Sequence, residues 1–264
     1  MYIKKILWAI AVIGLIVAGI FAYYIYGVML APNTNFNNDE AYIYVKNTDG
    51  YNEVREQLKP LLKDVDKFDI LAKQKQYTTN VKPGKYAIKK GMSNNDIVNS
   101  IRSNNIPVKV SFNNQNSLEK LAGRVANQIE ADSLELLQAM TNTAFLKDNN
   151  FKTETALGMY LPNSYEFYWN TTAEDFRSRM LKEYNRFWND KRVEKAHNIG
   201  LSKSQVIALA SIVYEESKER TEQPRIAGVY MNRLRIGMPL QADPTLKFAA
   251  YQLPKYRNTV IKRV

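Results

Sequence analysis

The chain has 264 residues, 37 Lys and Arg against 26 Asp and Glu, a formal net charge of +11, no cysteine and a single histidine, His197. This composition excludes disulfides and thiolate chemistry and argues against a histidine-based metal cluster, so we expect neither metal nor cofactor. The positive charge suits an anionic membrane surface or polymer, although an ordinary basic surface with no specific partner has the same charge. Because the basic residues are dispersed and no nucleic-acid-binding module is recognisable, we do not expect nucleic acid to bind.

The N-terminus carries the first strong signal. After a basic stub, residues 1–5, residues 6–30 form an apolar run without a charge. About 20 apolar residues span a bilayer, whereas the apolar part of a cleaved signal peptide has about 7–15, so we predict a retained transmembrane helix over 6–30 rather than a buried soluble helix. Lys4 and Lys5 favour a cytoplasmic N-terminus, which puts the remaining chain outside the cytoplasm. The far interface would then hold three tyrosines, Tyr23, Tyr24 and Tyr26.

Residues 31–112 predict a linker and a small mixed module. Residues 31–40 are polar and contain a proline, as is typical of a linker. In residues 41–112, short alternating strands are interleaved with segments of helical spacing, and Ser93 is expected to be an N-cap. The pattern at residues 86–97 resembles LysM-like glycan-binding modules, although a generic small domain would show the same periodicity.

From residue 113 the pattern becomes mainly helical. Ser117 is the expected N-cap of an amphipathic segment, and residues 172–190 predict one long amphipathic helix. Between them, residues 157–172 are rich in Tyr, Phe and Trp, and we interpret them as a loop. Such loops often line carbohydrate sites because sugar faces stack on rings, but aromatic core packing explains the same composition.

Adjacent carboxylates, Glu215 and Glu216, lie towards the end of the next predicted helix, which begins at a capping-box signature formed by Ser202 and Gln205 and runs to Glu219. One helix face has i, i+3, i+4, i+7 spacing and comprises Leu209, Ile212, Val213 and Glu216. Glu215 lies about 100° away around the helix, and we place Glu219 on the same helix one turn further on. Desolvation raises the pKa of a carboxyl group, which suits a general acid. Alternatively, Glu216 merely begins a solvated last turn.

Residues 222–249 predict a helix that stops near Gly237 and a second helix with Asp243 as its N-cap and Pro244 at the first helical position. Capping alone would account for Asp243.

Three ordered motifs carry a resemblance to a known family. The stretches LPNSYEF, ALASIVYEES and PRIAGVYMNRLRIGMPLQADPT resemble the MltG/YceG-like endolytic murein transglycosylases, and the last two are long and specific. The match covers most of the chain. It implies an α+β fold with an N-terminal transmembrane helix, a small LysM-like α/β module over 41–112, and a mainly helical transglycosylase catalytic region over 113–264.

The resemblance also implies roles for particular residues. The family's catalytic glutamate matches Glu216, whereas Tyr214 stands where Glu is common and Asn163 stands where many members have Asp. Substrate-binding positions are implied for Tyr165, Glu166, Asn232, Arg233, Gln241, Asp243 and Thr245. Family members usually continue beyond this point, so we expect the catalytic region to be C-terminally incomplete.

The implied reaction cleaves the β-1,4 bond between N-acetylmuramic acid and N-acetylglucosamine in peptidoglycan. Glu216 would protonate the leaving oxygen and then deprotonate the muramyl C6 hydroxyl, which closes a 1,6-anhydro ring without metal or cofactor. The implied partners are glycan strands, the bacterial cytoplasmic membrane with the catalytic region on its outer face, and peptidoglycan synthases, because the family is linked to ending strand growth.

Two other functions fit the same sequence. A muramidase would hydrolyse the same bond with water and needs a second carboxylate, for which Glu166 and Asp243 are candidates. A non-catalytic peptidoglycan-binding anchor would use the LysM-like module and the basic surface to tether the envelope without cleaving a bond.

Overall fold

The computed structural model describes residues 2–252, which divide into two compact units. Unit 1 is the chain up to Met140 together with Pro162–Arg177, and unit 2 is Thr141–Leu161 together with the chain from Ser178 onward. The fold is α+β and mainly helical, with an N-terminal apolar helix, as predicted. Because strand pairing returns residues 162–177 to unit 1, the division differs from the predicted boundary after residue 112.

The elements of unit 1, in chain order, are α1 Tyr2–Met29, β1 Glu40–Val45, α2 Tyr51–Leu58, α3 Val65–Gln74, β2 Gly84–Lys89, α4 Asn94–Ser103, β3 Pro107–Phe112, α5 Leu118–Ala126, α6 Ser133–Met140 and β4 Asn163–Tyr168. The remaining helices are α7 Thr143–Asp148, α8 Ala173–Phe187, which begins in unit 1, α9 Asp190–Asn198, α10 Lys203–Glu216, α11 Gln223–Arg235 and α12 Asp243–Gln252.

Helix α1 is the one helix in the described part of the chain that is long and apolar enough to cross a membrane, a property that signal sequences share. It starts four residues before the predicted span and ends one residue earlier. The predicted linker that follows is fastened to the neighbouring module. Pro32 forms a bridge with Ser93, and Thr34 forms one with Leu62.

The first module of unit 1 is an antiparallel β1–β2 pair covered by α2, α3 and α4. Alternation along β1 turns Ile43 and Val45 inward and Tyr42 and Tyr44 outward. The buried core of this module includes Val54, Leu58, Phe68, Tyr77, Tyr86, Ile88, Ile97 and Ile101. Ser93 accepts the backbone N–H of Asp96, so the expected N-cap of α4 is confirmed. The LysM-like assignment stays a prediction.

The aromatic stretch at residues 157–172 is not the loop that we expected. Residues 163–168 form β4, which pairs antiparallel with β3. Phe167 is buried, and its ring centroid lies 5.1 Å from that of Phe176 on α8, whereas Tyr168 is 55% exposed. Core packing therefore accounts for part of this aromatic composition, and an exposed face accounts for the rest.

Unit 2 is built from helices. The predicted helix over 172–190 ends at Phe187, because Asn189 starts a new helix by accepting the backbone N–H of Arg192. Tyr184 and Trp188 are buried near this junction, and Phe151 packs edge-on against Tyr184 at 5.2 Å. Helix α10 then contacts both α11 and α12.

Candidate active site

The two predicted carboxylates, Glu215 and Glu216, are the last residues of helix α10. The capping box is confirmed, because Ser202 accepts the backbone N–H of Gln205 and the Gln205 side chain accepts the backbone N–H of Ser202. The helix ends at Glu216 because Ser217 has extended backbone angles, φ −144° and ψ 132°. Glu219 therefore lies outside α10, and its predicted place one turn further along the helix is wrong.

A small apolar cluster joins α10, α11 and the start of α12. Val213, Tyr230 and Ala242 are its buried members, at 7%, 6% and 2% exposed. The partly buried residues that pack against it are Leu209, Ile212, Ile226, Ala227 and Leu240. The apolar face predicted for α10 thus contacts this cluster, and Glu216 lies at its edge.

Glu216 is half-buried, and its Oε1 accepts a 2.9 Å hydrogen bond from the Tyr230 hydroxyl. Burial, the hydrogen bond to Glu216 and the charge of that carboxylate raise the pKa of Tyr230 to about 12. The hydroxyl therefore stays protonated at neutral pH and acts as a donor. Among the described residues, no other side chain or backbone group hydrogen-bonds to the Glu216 carboxylate, so Oε2 is left for a further partner.

Glu215 has different surroundings from its neighbour. It is exposed and pairs with the Lys218 ammonium at 2.7 Å. That ammonium also lies 3.7 Å from the centroid of the Tyr214 ring. Of the two adjacent carboxylates, only Glu216 is held against the apolar cluster.

Arg233 and Asp243 also act on the Tyr230 hydroxyl. The Arg233 guanidinium lies 6.0 Å from the centroid of the Tyr230 ring and donates a hydrogen bond to the backbone carbonyl of Leu240. The positive charge of Arg233 lowers the pKa of Tyr230, and the negative charge of Asp243 raises it, although burial and Glu216 dominate the net rise. Of the predicted site residues, Arg233 therefore lies with Glu216 beside Tyr230, whereas Asp243 acts on that hydroxyl only through its charge.

The other predicted residues of unit 2 lie on the surface. Asn232 follows Tyr230 by two positions, about 200° around α11, and its exposed amide oxygen accepts a hydrogen bond from Arg235. Gln241 is exposed, with a left-handed φ of 48°. Thr245 donates its hydroxyl to the Ala242 carbonyl at 2.6 Å, within the first turn of α12. Asp243 is the first residue of that helix rather than the residue before it.

Tyr165 and Glu166 belong to unit 1, on opposite faces of β4. The ring centroid of Tyr165 lies 5.8 Å from that of Phe112, whereas Glu166 is exposed and lies directly across the sheet from Lys109. A pocket of about 720 Å³ opens at the end of the β3–β4 pair where Phe112 lies opposite Asn163. Its polar lining residues are Ser111, Asn113, Gln115, Arg124, Asn163 and Ser164.

Sequence reasoning missed Tyr230, the residue that fixes the Glu216 carboxylate. A signal was available, because Ile226, Tyr230 and Arg233 follow i, i+4, i+7 spacing on α11. A tyrosine at that spacing resembles ordinary core packing, and only the fold reveals what its hydroxyl contacts. The described residues hold no cluster of three or more His, Cys, Asp or Glu side chains arranged to bind a metal ion.

The sequence is similar to a known family and to named relatives. The sequence model of the YceG-like family matches residues 43–263. An endolytic murein transglycosylase of Bacillus subtilis is 33% identical over 117 residues, which are 44% of this chain and 31% of that protein. An endolytic murein transglycosylase of Streptococcus pneumoniae is 26% identical over 218 residues, 70% of this chain and 38% of that protein. The matches thus span about a third of these relatives' lengths.

A crystal structure of a YceG-like protein from Listeria monocytogenes has a similar fold. It superposes with a TM-score of 0.51 at 20% identity, over 86% of this chain and 79% of that one. This similarity is one of fold, and the family match over residues 43–263 identifies the chain as a member of the YceG-like family.

Proposed function

We propose that this chain is a membrane-anchored endolytic lytic transglycosylase. It would cleave the β-1,4 bond between N-acetylmuramic acid and N-acetylglucosamine inside peptidoglycan strands and leave 1,6-anhydro-muramyl ends. The observation that carries the proposal is the Glu216 carboxylate held by Tyr230 at the end of α10. The names of two relatives, both endolytic murein transglycosylases, support it, as do the length and composition of α1.

The proposed chemistry needs one carboxyl group that changes role. Protonated Glu216 gives its proton to the glycosidic oxygen as the bond to muramyl C1 breaks. The resulting carboxylate then takes the proton of the C6 hydroxyl on the same sugar, while that oxygen bonds to C1. The proton returns to Glu216, the 1,6-anhydro ring closes and no water is consumed.

Tyr230 suits a positioning role in this scheme. As a neutral donor it holds Oε1 of Glu216 in one orientation, which leaves Oε2 to exchange the proton with the substrate. Arg233 lies beside the Tyr230 ring, and Asp243 follows Ala242 of the same apolar cluster. Both are proposed to contact the sugar at the cleavage point. Further glycan contacts are proposed for Asn232, Gln241 and Thr245. Tyr165 and Glu166 are proposed to contact the glycan strand in their own right.

A muramidase is the second candidate, and the position of Asp243 favours it. Hydrolysis needs a second carboxylate beside the acid, and Asp243 follows Ala242, a buried member of the cluster at whose edge Glu216 lies. Hydrolysis would leave reducing muramyl ends. The variant Asp243→Asn separates the two reactions further, because it would abolish a water-dependent reaction, whereas a transglycosylase would still form anhydro ends, at a rate lowered by the lost sugar contact.

The test is mass spectrometry of purified peptidoglycan after incubation with the full chain in a mild detergent. We expect anhydro-muramyl ends from the native chain and from Glu215→Gln, and none from Glu216→Gln, whose circular dichroism should be unchanged. Reducing ends would replace the proposal with the muramidase. Glycan binding without cleavage by any of the three proteins would leave the non-catalytic anchor as the function of this chain.

The proposed location is the bacterial cytoplasmic membrane, with the chain after α1 on the outer face. Because the native chain has no cysteine, one introduced cysteine reports its own side of the membrane. We expect Asn38→Cys in intact cells to react with a membrane-impermeant maleimide. Reaction only after lysis would reverse the orientation.

A further inference from the structure

The C-terminal end of α1 is built into the module that follows it. Val28 is 3% exposed, and its carbonyl accepts a 2.8 Å hydrogen bond from the fully buried Asn94 side chain. The buried Asn33 amide donates to Asn94 and to the Asp64 carbonyl, at 2.7 and 2.8 Å. This amide network fixes the module at the end of the helix, so residues near it keep a set height along the helix axis.

That height corresponds to the headgroup layer when α1 spans a membrane, as proposed above. From Lys5 to Met29 the helix rises about 36 Å at 1.5 Å per residue, whereas a hydrocarbon core is about 30 Å thick. Met29 would then lie a few ångströms beyond the core, next to the tyrosines of the far interface. Pro32 follows three residues later, at most about 10 Å further.

Two lysines are held at this level by the chain that leaves α1. The Lys63 backbone N–H donates to the Asn33 carbonyl at 2.8 Å. Lys90 precedes Gly91, whose N–H donates to the Thr34 hydroxyl at 2.7 Å. The ammonium groups of Lys63 and Lys90 reach the carbonyls of Pro32 and Asn37 at 3.5 and 3.4 Å. These are long contacts to neutral acceptors, so they leave both charges uncompensated.

A pocket of about 400 Å³ lies between these segments, and both lysines line it together with Asn35 and Asn37. Both lysines are exposed, and no carboxylate of the described residues forms an ion pair with either. Nearby lysines differ, because Lys59 and Lys67 are paired with Glu56 and Asp64. Two unpaired ammonium groups and two amides suit a phosphate oxyanion.

We propose that Lys63 and Lys90 bind the headgroup phosphate of an anionic phospholipid in the leaflet that the C-terminal end of α1 reaches. This inference rests on the proposed membrane insertion of α1. A lipid is favoured over a soluble anion because five of the eight residues that line the pocket belong to the first eight residues after the helix, at the level where headgroup phosphates are concentrated. Bound lipid would hold the module against the bilayer and limit the distance at which the rest of unit 1 meets glycan strands.

The test counts lipids bound to the full chain in detergent micelles by native mass spectrometry, with phosphatidylglycerol and phosphatidylcholine as probes. We expect the native chain to retain phosphatidylglycerol and to bind phosphatidylcholine weakly. The double variant Lys63→Gln/Lys90→Gln should weaken phosphatidylglycerol binding roughly 10- to 30-fold, because each basic residue near the surface contributes about 1 kcal/mol. The matched control, Lys147→Gln/Lys191→Gln, removes the same charge from exposed positions of unit 2 and should bind like the native chain.

Three results would overturn the lipid site: equal affinity for the two lipids, equal weakening in the control, or complete displacement by millimolar inorganic phosphate, which would make the site one for free phosphate. Alkaline extraction of membranes checks the anchor separately. The lysine variants should stay in the membrane fraction and still form anhydro ends. Loss of the native chain from that fraction would refute the membrane anchor itself. The proposed activity would remain testable in that case, because cleavage of soluble glycan strands needs no membrane.

Discussion

The Tyr230 hydroxyl lies 2.9 Å from Oε1 of Glu216 and links the last residue of α10 to the middle of α11. Because α10 ends at Glu216 and Ser217 is extended, the helix alone does not fix that carboxylate. The packing of α11 against α10 fixes it through Tyr230. Glu216 is therefore not simply the first residue of a solvated turn, which was the simplest alternative from the sequence.

The first prediction concerns this hydrogen bond. Tyr230→Phe keeps the buried ring and removes the donor, so we expect the fold to survive and the rate of anhydro-end formation to fall. A hydrogen bond to a charged group contributes about 1.5–3 kcal/mol, which corresponds to roughly 10- to 150-fold in rate if the whole effect falls on the transition state. The measurement is the initial rate of anhydro-muramyl release.

Tyr184→Phe is the control for Tyr230→Phe. Tyr184 is also buried in unit 2, at 6% exposed, but its ring packs against Phe151 far along the chain from Glu216. Removal of the Tyr184 hydroxyl should leave the rate of anhydro-end formation unchanged. Equal rates for the native chain and Tyr230→Phe would show that Glu216 needs no help from Tyr230.

The second prediction concerns stability at alkaline pH. Burial raises the pKa of Tyr86 to about 12, and Tyr230 has a similar value, whereas an unfolded tyrosine titrates near 10. Their stabilising contribution is complete below pH 10 and is lost as the pH rises towards 12, because the unfolded chain releases its protons first. We expect the unfolding temperature to fall across this window.

The double variant Tyr86→Phe/Tyr230→Phe tests that assignment. It should make the decline between pH 10 and 12 shallower, while Tyr51, Tyr77 and Tyr184, whose pKa values are also raised, keep part of it. Phenolate absorbance should show two fewer late-titrating groups than in the native chain. An identical pH dependence in both proteins would attribute the alkaline instability to other groups.

The parts of the fold that depend on local chemistry were predictable. Ser93, Ser117 and Ser202 cap their helices as expected, because each needs only a backbone N–H three residues ahead. The strand at residues 163–168 was missed because it exists only through pairing with β3, more than 50 residues earlier. Isolated from that partner, its Tyr and Phe content next to Pro162 resembles a loop.

The candidate site, like the fold, was predictable where it depends on local sequence and not where it depends on packing. Periodicity placed Glu216 on the apolar face of α10, and that face does pack against α11 and α12. Periodicity did not predict that Asn232 would lie on the opposite side of α11 from Tyr230, although the two residues are only two positions apart. Motif similarity groups residues along the chain, whereas helix rotation decides which of them meet.

The third prediction concerns the amide network at the end of α1. Asn94→Ala removes the donor to Val28 and the acceptor of Asn33, all of them buried. Leaving a buried polar group unsatisfied costs about 1–3 kcal/mol, so we expect a lower unfolding temperature for unit 1 in the detergent-solubilised chain. Asn38→Ala changes an exposed amide in the segment that contains Asn33 and should have no effect. Equal stability of Asn94→Ala and the native chain would mean that the helix end is held by other contacts.

The fourth prediction separates backbone strain from substrate binding at Gln241. Its φ of 48° is left-handed, a conformation that costs a residue with a side chain about 1–2 kcal/mol and costs glycine almost nothing. Gln241→Gly should therefore leave unit 2 at least as stable, since strain relief offsets the greater freedom of glycine in the unfolded chain.

If the Gln241 amide contacts the glycan, the KM for strand cleavage should rise in the same variant. Gln76→Gly is a matched control, because Gln76 is an exposed glutamine with φ 57° in unit 1, and it should keep the native KM. A native KM in Gln241→Gly would remove this residue from the proposed substrate contacts, and a large loss of stability would show that its side chain has a structural role instead.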